Sequence, residues 1–289
     1  MANNKMIIEE RQRDLGSFIV GRLLPFRKKR SVGPFVFIDH MGPAKINPNS
    51  YLDVDQHPHI GLSTLTYLLE GEIAHRDSTG ASQIISPGAV GFMTSVKGVT
   101  HTERTPAHQR DGNTYTLHGY QIWVALPKDK EQMPPKFDYY PAETLPKWKE
   151  KNVSITLVAG KAFGKTSPLL GFSHLFMIAI FAEKDAHLEL KDHLKGEVAF
   201  VITHGSIVDD GETVHAGQML ISKTNEECCI ELKANTRLLI FGGEPFPEER
   251  FLSWNFASSS KELLAQAKKD WQEKKFPKVI GDDTYIPFP

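Results

Sequence analysis

The sequence predicts an all-β protein of two β-barrels followed by a C-terminal amphipathic helix, and three observations support this fold class. Short apolar or alternating runs of strand length recur along the 289 residues, separated by Gly, Pro and Asp-Gly turn signals. Helical patterns do not alternate with these runs, which argues against βαβ units and favours barrels or sandwiches. A proline-rich interruption divides the strand-like texture into two similar halves.

Each half contains a series of predicted strands. The runs of the first half include residues 18–20, 35–38, 62–70 and 120–126. Those of the second half are 153–158, 175–181, 197–203, 219–222, 228–232 and 237–241, with hairpin turn signals at residues 209–211 and 216–217. The second half therefore resembles another copy of the first.

The interruption predicts where one domain ends and the next begins. Residues 127–147 hold five prolines and many charged side chains, a composition typical of an interdomain connection. We expect a metal-binding N-terminal barrel over residues 1–134 and a metal-free barrel over residues 135–289, the latter with the helix and the tail. A length of 289 residues agrees with about two domains.

One helix is predicted near the C-terminus. Ser259 and Glu262 have the spacing of a capping box. The apolar residues that follow have helical spacing: Leu263, Leu264, Ala267 and Trp271. Lysines and Glu273 occupy the opposite side, so we expect the helix to pack on a barrel surface and not to bind a membrane.

Composition and charge exclude several classes of protein. The chain is 40% hydrophobic and 24% charged with a formal net charge of -1, which predicts a soluble protein without direct nucleic-acid binding. The longest apolar run, residues 175–182, is too short to span a bilayer, and the N-terminus does not resemble a secretory signal. Cys228 and Cys229 are adjacent and point to opposite faces of a strand, so we expect no mutual disulfide, a reducing compartment and a cytoplasmic location.

Two short motifs carry the chemistry. His57-Pro58-His59 and His101-Thr102-Glu103 each place two metal-ligand side chains at positions i and i+2, which share one face of a β-strand. The 42 residues from His59 to His101 leave room for the two strands to run antiparallel and meet inside a barrel. Three imidazoles and one carboxylate would then suit a first-row transition metal and leave coordination positions free.

The surroundings of the motifs predict space for a ligand. If the first strand continues, the small residues Gly61 and Ser63 share the face of the histidines and lie beside the metal. Beyond them Leu65, Tyr67 and Leu69 would fill the barrel interior.

The remaining histidines carry weaker signals. His75 stands before the turn at residues 77–80, and a structural role beside that turn is favoured over support of a ligand. His118 could hydrogen-bond near the site. In the second half, His193, His204 and His215 form no His-x-His or His-x-Glu pair, which predicts no metal there.

Two other motifs do not lead to a function. Residues 160–166 (GKAFGKT) resemble a phosphate-binding loop, but they are one residue short and no helical pattern follows. The basic cluster at residues 27–30 lies next to turn residues and is interpreted as a solvated loop.

The order and spacing of its motifs make the sequence similar to the pirin family over nearly the whole chain. The matching motifs are His57-Pro58-His59, residues 66–72 (TYLLEGE), 75–78 (HRDS) and 87–88 (PG), His101-Thr102-Glu103, residues 117–119 (LHG) through Trp123 to Pro127, and the tail 255–289. The resemblance implies a bicupin, two cupin barrels with one mononuclear iron in the N-terminal barrel. It also implies that His57, His59, His101 and Glu103 are the iron ligands.

The resemblance implies two possible functions. Several pirins resemble quercetin 2,3-dioxygenases in activity, which would make the substrate a flavonol-like aromatic. Some eukaryotic pirins act as nuclear transcription cofactors, which leaves open a metal- and redox-sensing protein that binds a protein partner without turnover.

Three positions depart from the usual pirin pattern. Ile60 stands where pirins commonly have arginine before Gly61, Lys97 lies in a changed Gly-Arg-Gly-Ile segment, and Thr102 replaces serine. None of them removes a ligand. The changes at Ile60 and Lys97 are expected at the pocket rim, where they would affect the identity of the substrate.

The ligand set predicts how an enzyme would work. Three neutral imidazoles and one carboxylate on Fe(II) leave a net charge of about +1, which attracts an anionic enolate. Because the metal acidifies a bound hydroxyl, Glu103 is the natural proton acceptor for a flavonol.

Overall fold

The computed structural model describes residues 5–14, 18–223 and 229–289, which form β-strands, three 3₁₀ turns and one α-helix. The first twelve strands are β1 Met6–Glu9, β2 Arg11–Asp14, β3 Ile19–Leu24, β4 Phe35–Ile46, β5 Asp53–His59, β6 Leu62–Glu70, β7 Ile73–Asp77, β8 Ser82–Ile85, β9 Val90–Thr94, β10 Val99–Arg104, β11 Tyr115–Ala125 and β12 Lys136–Tyr140.

The later strands continue the same texture. They are β13 Lys147–Glu150, β14 Val153–Ala162, β15 Lys165–Thr166, β16 Leu175–Ala182, β17 Ala186–Glu189, β18 Glu197–His204, β19 Ser206–Asp209, β20 Glu212–His215, β21 Gln218–Lys223, β22 Cys229–Leu232, β23 Thr236–Gly243, β24 Phe251–Ser253 and β25 Phe256–Ser258. Helix α1 spans Lys261–Gln272, and the 3₁₀ turns are Ala107–Gln109, Lys128–Lys130 and Ala142–Thr144.

The contacts divide the chain into two compact units. The first unit contains Gln12–Val20, Phe37–Ala142 and Pro247–Pro289, and the second contains Met1–Arg11, Gly21–Val36 and Glu143–Phe246. This division corrects the predicted ranges 1–134 and 135–289 in two respects. N-terminal segments are exchanged between the units, and the helix and the tail belong with the first barrel.

The first unit contains a smaller antiparallel sheet of order β5-β10-β7-β8 and most of a larger sheet of order β12-β9-β6-β11-β4-β3-β2. Residues 21–24 of β3 and 35–36 of β4 are grouped with the second unit. A buried apolar core between strands of both sheets includes Met41, Leu68, Ile73, Ile85 and Leu117. In the smaller sheet β10 lies between β5 and β7, so both predicted motifs stand on neighbouring strands.

The second unit repeats this arrangement with a larger apolar core. Its sheets have the orders β1-β21-β18-β23-β16-β14-β13, with β15 paired to β14, and β17-β22-β19-β20. The predicted apolar run of β16 is buried here among Ile155, Phe200 and Ile240. Of the two cysteines, Cys229 is exposed, and Cys228 lies outside the described residues.

Helix α1 begins one residue later than the capping box predicts. Ser260 is the N-cap, and its hydroxyl accepts a hydrogen bond from the Leu263 amide at 3.3 Å. The helix buries Leu264, Ala267 and Trp271 in a cluster with Ile60 and Phe256, all within the first unit, whereas Leu263 stays exposed. Across the described residues, none of the helical segments is both long enough and apolar enough to cross a membrane.

Candidate metal centre

The smaller sheet of the first unit brings the two motifs together. Strands β5 and β10 pair antiparallel, with His57 directly opposite His101 and His59 opposite Val99. A register shift between His101 and Glu103 places Glu103 opposite Val54 on one side and His75 on the other. Because alternate residues of a strand share one face, the candidate ligand side chains of each motif point into the barrel, as the sequence predicts.

Three imidazoles converge at one point in the barrel. The ligand nitrogens of His57, His59 and His101 all lie within 4.8 Å of one another, and all three residues are buried. The Nε2 atoms of His59 and His101 are 3.1 Å apart. The rings of His57 and His101 lie 4.3 Å apart between centroids.

Backbone carbonyls determine which nitrogen faces that point. His57 Nδ1 lies 2.8 Å from the Asp55 carbonyl oxygen, and His59 Nδ1 lies 3.0 Å from the Asn255 carbonyl oxygen. Because a carbonyl only accepts, each Nδ1 must carry the proton and donate it. The Nε2 lone pairs of both rings are therefore free for a cation.

The donor set fits a divalent transition metal. The Nε2 atoms of His59 and His101 face each other at 3.1 Å, a spacing that suits two ligands of one cation. Nitrogens about 2.1 Å from one ion and at right angles are separated by about 3.0 Å, close to the observed spacing.

Burial keeps these rings neutral. Desolvation lowers the pKa of His57 to about 4, against a smaller opposing effect of its hydrogen bond to Asp55. Desolvation together with the neighbouring imidazoles holds the pKa values of His59 and His101 well below the ordinary range. Neutral imidazole is the form that binds a metal.

Glu103 lies on the same strand but outside the group of three nitrogens. Its Oε1 accepts a hydrogen bond from Gln121 Nε2 at 2.9 Å, and Gln121 in turn accepts one from the Thr66 hydroxyl at 2.7 Å. Burial raises the pKa of Glu103 to about 7, and the Gln121 hydrogen bond opposes this shift. The carboxyl group is thus oriented and able to exchange a proton near neutral pH.

His75 contacts the candidate ligand His101 as well as Asp77, which belongs to the turn beside which the sequence places it. Its Nδ1 lies 3.4 Å from His101 Nδ1, and its Nε2 lies 3.0 Å from Asp77 Oδ2. Burial alone would raise the pKa of Asp77, but hydrogen bonds from His75 and Thr79 hold it below its ordinary value. The signal in the sequence was His75-x-Asp77, an i, i+2 pair like the two ligand motifs.

Gly61 ends the strand instead of continuing it. The chain leaves the smaller sheet after β5, turns at Gly61 with φ +66°, and enters the larger sheet as β6. A Cβ at this position would overlap the backbone oxygen of Ala257. The prediction that the face of the histidines extends through Ser63 is therefore wrong.

The register of β6 shows which of its residues face the site. Gln121 bonds Glu103, and the Trp123 ring stands 5.1 Å edge-on from His59, so this side of β11 faces the centre. Their partners on β6 are Thr66 and Thr64, and directly paired residues share a face. Ser63, with Leu65 and Tyr67, belongs to the opposite face, where the Ser63 hydroxyl donates to Thr94 Oγ1 at 3.2 Å.

Aromatic rings surround the imidazoles. Phe37 stacks on Trp123 with 3.8 Å between centroids, and Phe137 stacks on His75 at 4.3 Å. His118 contacts His40 instead, with 2.9 Å between their Nε2 atoms, on the other side of β11. Hydrophobic walls of this kind lower the local dielectric and strengthen electrostatic interactions inside the site.

The departures at Ile60 and Lys97 lie away from the imidazoles. Ile60 is buried in the aromatic cluster beneath α1 and pairs with Phe256. Lys97 is exposed and lines a groove of about 480 Å³ beside α1, whose lining does not include the histidines. Ile60 lines the same groove as Lys97, and the expectation that the two residues form the rim of a substrate pocket stays a prediction.

Comparison with known proteins gives consistent matches. Family models match the chain as Pirin over residues 17–124 and as Pirin C-terminal cupin domain over residues 177–277. A pirin-like protein of Caulobacter vibrioides is 40% identical over 290 residues, which cover 98% of this chain and 99% of that protein. A Pseudomonas aeruginosa protein provisionally named quercetin 2,3-dioxygenase is 36% identical over 259 residues, 89% of this chain and 80% of that protein.

A solved structure extends the match to three dimensions. The crystal structure of a quercetin 2,3-dioxygenase from Acinetobacter baumannii has a TM-score of 0.90 at 32% identity and covers 99% of this chain and 95% of that chain. The predicted all-β fold of two cupin barrels with a C-terminal helix is confirmed.

Proposed function

We propose that this chain, which belongs to the pirin family, is an iron-dependent dioxygenase that oxidatively cleaves quercetin-like flavonols. The observation that carries the proposal is the convergence of three buried imidazoles, His57, His59 and His101, whose ligand nitrogens lie within 4.8 Å of one another. The similarity to proteins named quercetin 2,3-dioxygenases supports the choice of substrate class.

His57, His59, His101 and Glu103 would hold one metal ion. Nitrogen ligands with one carboxylate suit first-row divalent metals, and four protein ligands would leave two positions open in an octahedron. When bound, Fe(II) supplies a Lewis acid that acidifies a hydroxyl and a redox couple through which dioxygen becomes reactive.

Glu103 would act on the proton of the substrate. The Glu103 carboxylate, placed beside the metal, would be the base that accepts the proton of a flavonol 3-hydroxyl. The pKa of about 7 that burial gives Glu103 belongs to the metal-free protein, and a bound cation would lower it and keep the group ionised. Gln121 donates to one carboxyl oxygen and leaves the other oxygen available. Loss of this proton would prepare the flavonol ring for attack by dioxygen.

The aromatic residues near the centre would bind the planar substrate and limit access of water. Phe37 and Trp123 form a stacked pair, and the edge of Trp123 contacts His59. Flat apolar surfaces of this kind favour stacking with an aromatic ring system.

Oxygen uptake tests the proposal. Protein loaded with iron under argon is mixed with oxygenated buffer and quercetin, and oxygen consumption is measured per bound iron. We expect multiple turnovers per iron, at a rate well above that of the same concentration of free iron. A His57→Ala/His101→Ala double variant treated identically should not exceed free iron.

An absence of turnover by fully iron-loaded protein would favour the sensing alternative, in which Fe(II)/Fe(III) state alters the affinity for a protein partner.

A cytoplasmic location remains part of the proposal, because two adjacent cysteines in 289 residues suit a reducing compartment.

A further inference from the structure

A chain of three side chains extends from the metal centre to a surface turn. His101 Nδ1 faces His75 Nδ1 at 3.4 Å, and His75 Nε2 faces Asp77 Oδ2 at 3.0 Å. His75 is 2% exposed and Asp77 is 1% exposed, so water does not compete for these contacts.

Each contact determines the next proton position. The Asp77 carboxylate only accepts, so His75 Nε2 must donate to it. A neutral His75 then presents an unprotonated Nδ1, which accepts from His101 Nδ1–H. The Nε2 of His101 is left without a proton, facing the Nε2 of His59 at 3.1 Å. This protonation pattern is the one that makes His101 a ligand through Nε2.

The turn after β7 holds Asp77 in place. Its second carboxyl oxygen, Oδ1, accepts hydrogen bonds from the Thr79 amide at 2.8 Å, the Thr79 hydroxyl at 2.6 Å and the Ala81 amide at 3.3 Å. The Phe137 ring stacks on His75 at 4.3 Å and restricts its rotation. Both members of the pair are therefore fixed before a metal arrives.

We propose that Asp77 and His75 are positioning residues that fix the tautomer and orientation of His101 for metal binding. The proposal deepens the proposed function, since it rests on the metal centre assumed there. His101 is thus oriented by two side chains, His75 and Asp77, which we call the relay, whereas His57 and His59 donate to backbone carbonyls. Substitutions at this relay can therefore alter one ligand and leave the other two unchanged.

Asp77→Asn is the sharpest test because it preserves size and the hydrogen bonds of Oδ1. The new amide presents a donor to His75 Nε2, which favours the opposite His75 tautomer with a proton on Nδ1. His101 Nδ1 must then accept, and its proton moves to Nε2. We expect metal affinity to fall about 10–100-fold, the usual range for loss of a supporting hydrogen bond at a metal site.

The tautomer can be read without any metal. ¹⁵N chemical shifts of the His101 ring in metal-free protein should report a protonated Nδ1 in wild type and a protonated Nε2 in Asp77→Asn. In Co(II)-loaded protein the ligand-field absorption bands should shift in the variant. A His101 tautomer and metal affinity that match wild type in folded Asp77→Asn would overturn the proposal.

Variants at His75 provide a second line. His75→Phe keeps an aromatic ring against Phe137 but removes the acceptor, whereas His75→Gln offers an oxygen that can accept from His101. We expect His75→Phe to lose affinity and His75→Gln to recover part of it. Equal affinities for the two variants would contradict a positioning role.

A matched control exists in the same unit. His108 and Glu72 form another imidazole–carboxylate pair at 2.7 Å, on the surface and away from the ligands. His108→Phe should leave metal affinity and the His101 ¹⁵N shifts unchanged. Wild-type protein that binds no metal would refute the proposed function, while the metal-free ¹⁵N measurement would still decide the tautomer relay.

Discussion

At the scale of single residues, Glu103 combines two properties that a proton acceptor requires. Its side chain is buried and its pKa is raised to about 7, yet Gln121 holds one oxygen in a fixed orientation. In the metal-free protein such a group changes protonation near neutral pH while its orientation stays fixed. Its contribution to catalysis can therefore be separated from its contribution to metal binding.

Glu103→Gln should reduce turnover far more than metal content. The amide keeps the size and one oxygen donor but loses the charge and the basicity. We expect oxygen uptake with quercetin, corrected for bound metal, to fall about 10²–10⁴-fold. Glu183→Gln, at an exposed residue of the second unit, is the control and should match wild type. Equal metal-corrected rates for Glu103→Gln and wild type would remove the base role.

The buried histidines predict how stability depends on pH in metal-free protein. Their folded pKa values lie below the unfolded value, to about 4 for His57, so the unfolded state binds more protons as pH falls below about 6.5. Stability should therefore be lost as pH drops from 6.5 towards 4. The raised pKa of Glu103 acts in the opposite direction between 4.5 and about 7, but it is one group against three.

Urea unfolding of the metal-free protein at several pH values between 5 and 7 measures this dependence. Each additional proton that the unfolded state binds relative to the folded state changes the unfolding free energy by about 1.4 kcal/mol per pH unit. A variant with His57 and His101 replaced by glutamine should lose most of the slope. A wild-type slope no steeper than that of the variant would show that these histidines are not buried as neutral groups.

At the scale of elements, strand periodicity accounts for what the sequence predicts about the site. A period of two places both residues of His57-x-His59 on one face without any knowledge of the rest of the fold. The same rule fails beyond Gly61, because the positive φ there redirects the chain into another sheet. As a result, the residues of β6 that face inward are not those that the alternation from His57 and His59 predicts. Asn255, whose carbonyl orients His59, is 196 residues away, and no local pattern indicates such a contact.

Gly61→Ala tests the turn between β5 and β6. The new Cβ would overlap the Ala257 carbonyl oxygen, and β25, which contains Ala257, follows directly after Asn255. We expect a loss of unfolding free energy, from strain and overlap, of about 2–4 kcal/mol, together with weaker metal binding. Both quantities are measured by urea unfolding and metal titration.

Gly164→Ala is the matched control for this substitution. Gly164 has the same φ of +66°, but a Cβ there meets no atom within 4 Å. The unfolding free energy of Gly164→Ala should fall only by the cost of backbone strain, about 1–2 kcal/mol, and its metal affinity should equal that of wild type. Equal effects of the two substitutions would show that the contact with Ala257 does not matter.

At the scale of the whole molecule, the C-terminal tail belongs to the barrel that carries the candidate metal centre. Gln56, between Asp55 and His57, donates to the carbonyl oxygens of Asp282 and Thr284 at 2.8 and 2.9 Å. Its own carbonyl oxygen accepts from the Ile286 amide at 3.0 Å. The proline-rich segment in the sequence predicts two consecutive domains and assigns the tail to the second. The contacts of Gln56 that join the tail to the first barrel cannot be predicted from local sequence, because they connect residues more than 220 positions apart.

Removal of residues 282–289 should loosen the strand that carries His57 and His59. It deletes the contacts of Gln56 and the stacking of Tyr285 on Trp271 at 4.6 Å. We expect the unfolding free energy to fall by about 2 kcal/mol, since Tyr285 and Phe288 are half-buried, and metal affinity to fall with it. Ile280→Ala, at a tail residue that is 75% exposed, is the control. Unchanged affinity in the truncated protein would separate the tail from the metal centre.

Metal stoichiometry tests the central claim most directly. Protein purified without added metal and then titrated with Fe(II) under argon is analysed for metal per chain, for wild type, for each single His→Ala variant of the cluster and for the His57→Ala/His101→Ala double variant. We expect about one ion per wild-type chain, a sharp loss in each single variant and almost none in the double variant, because each histidine would supply one of the few ligands. Full occupancy in the double variant, or a second ion lost on mutation of His204 or His215, would contradict it.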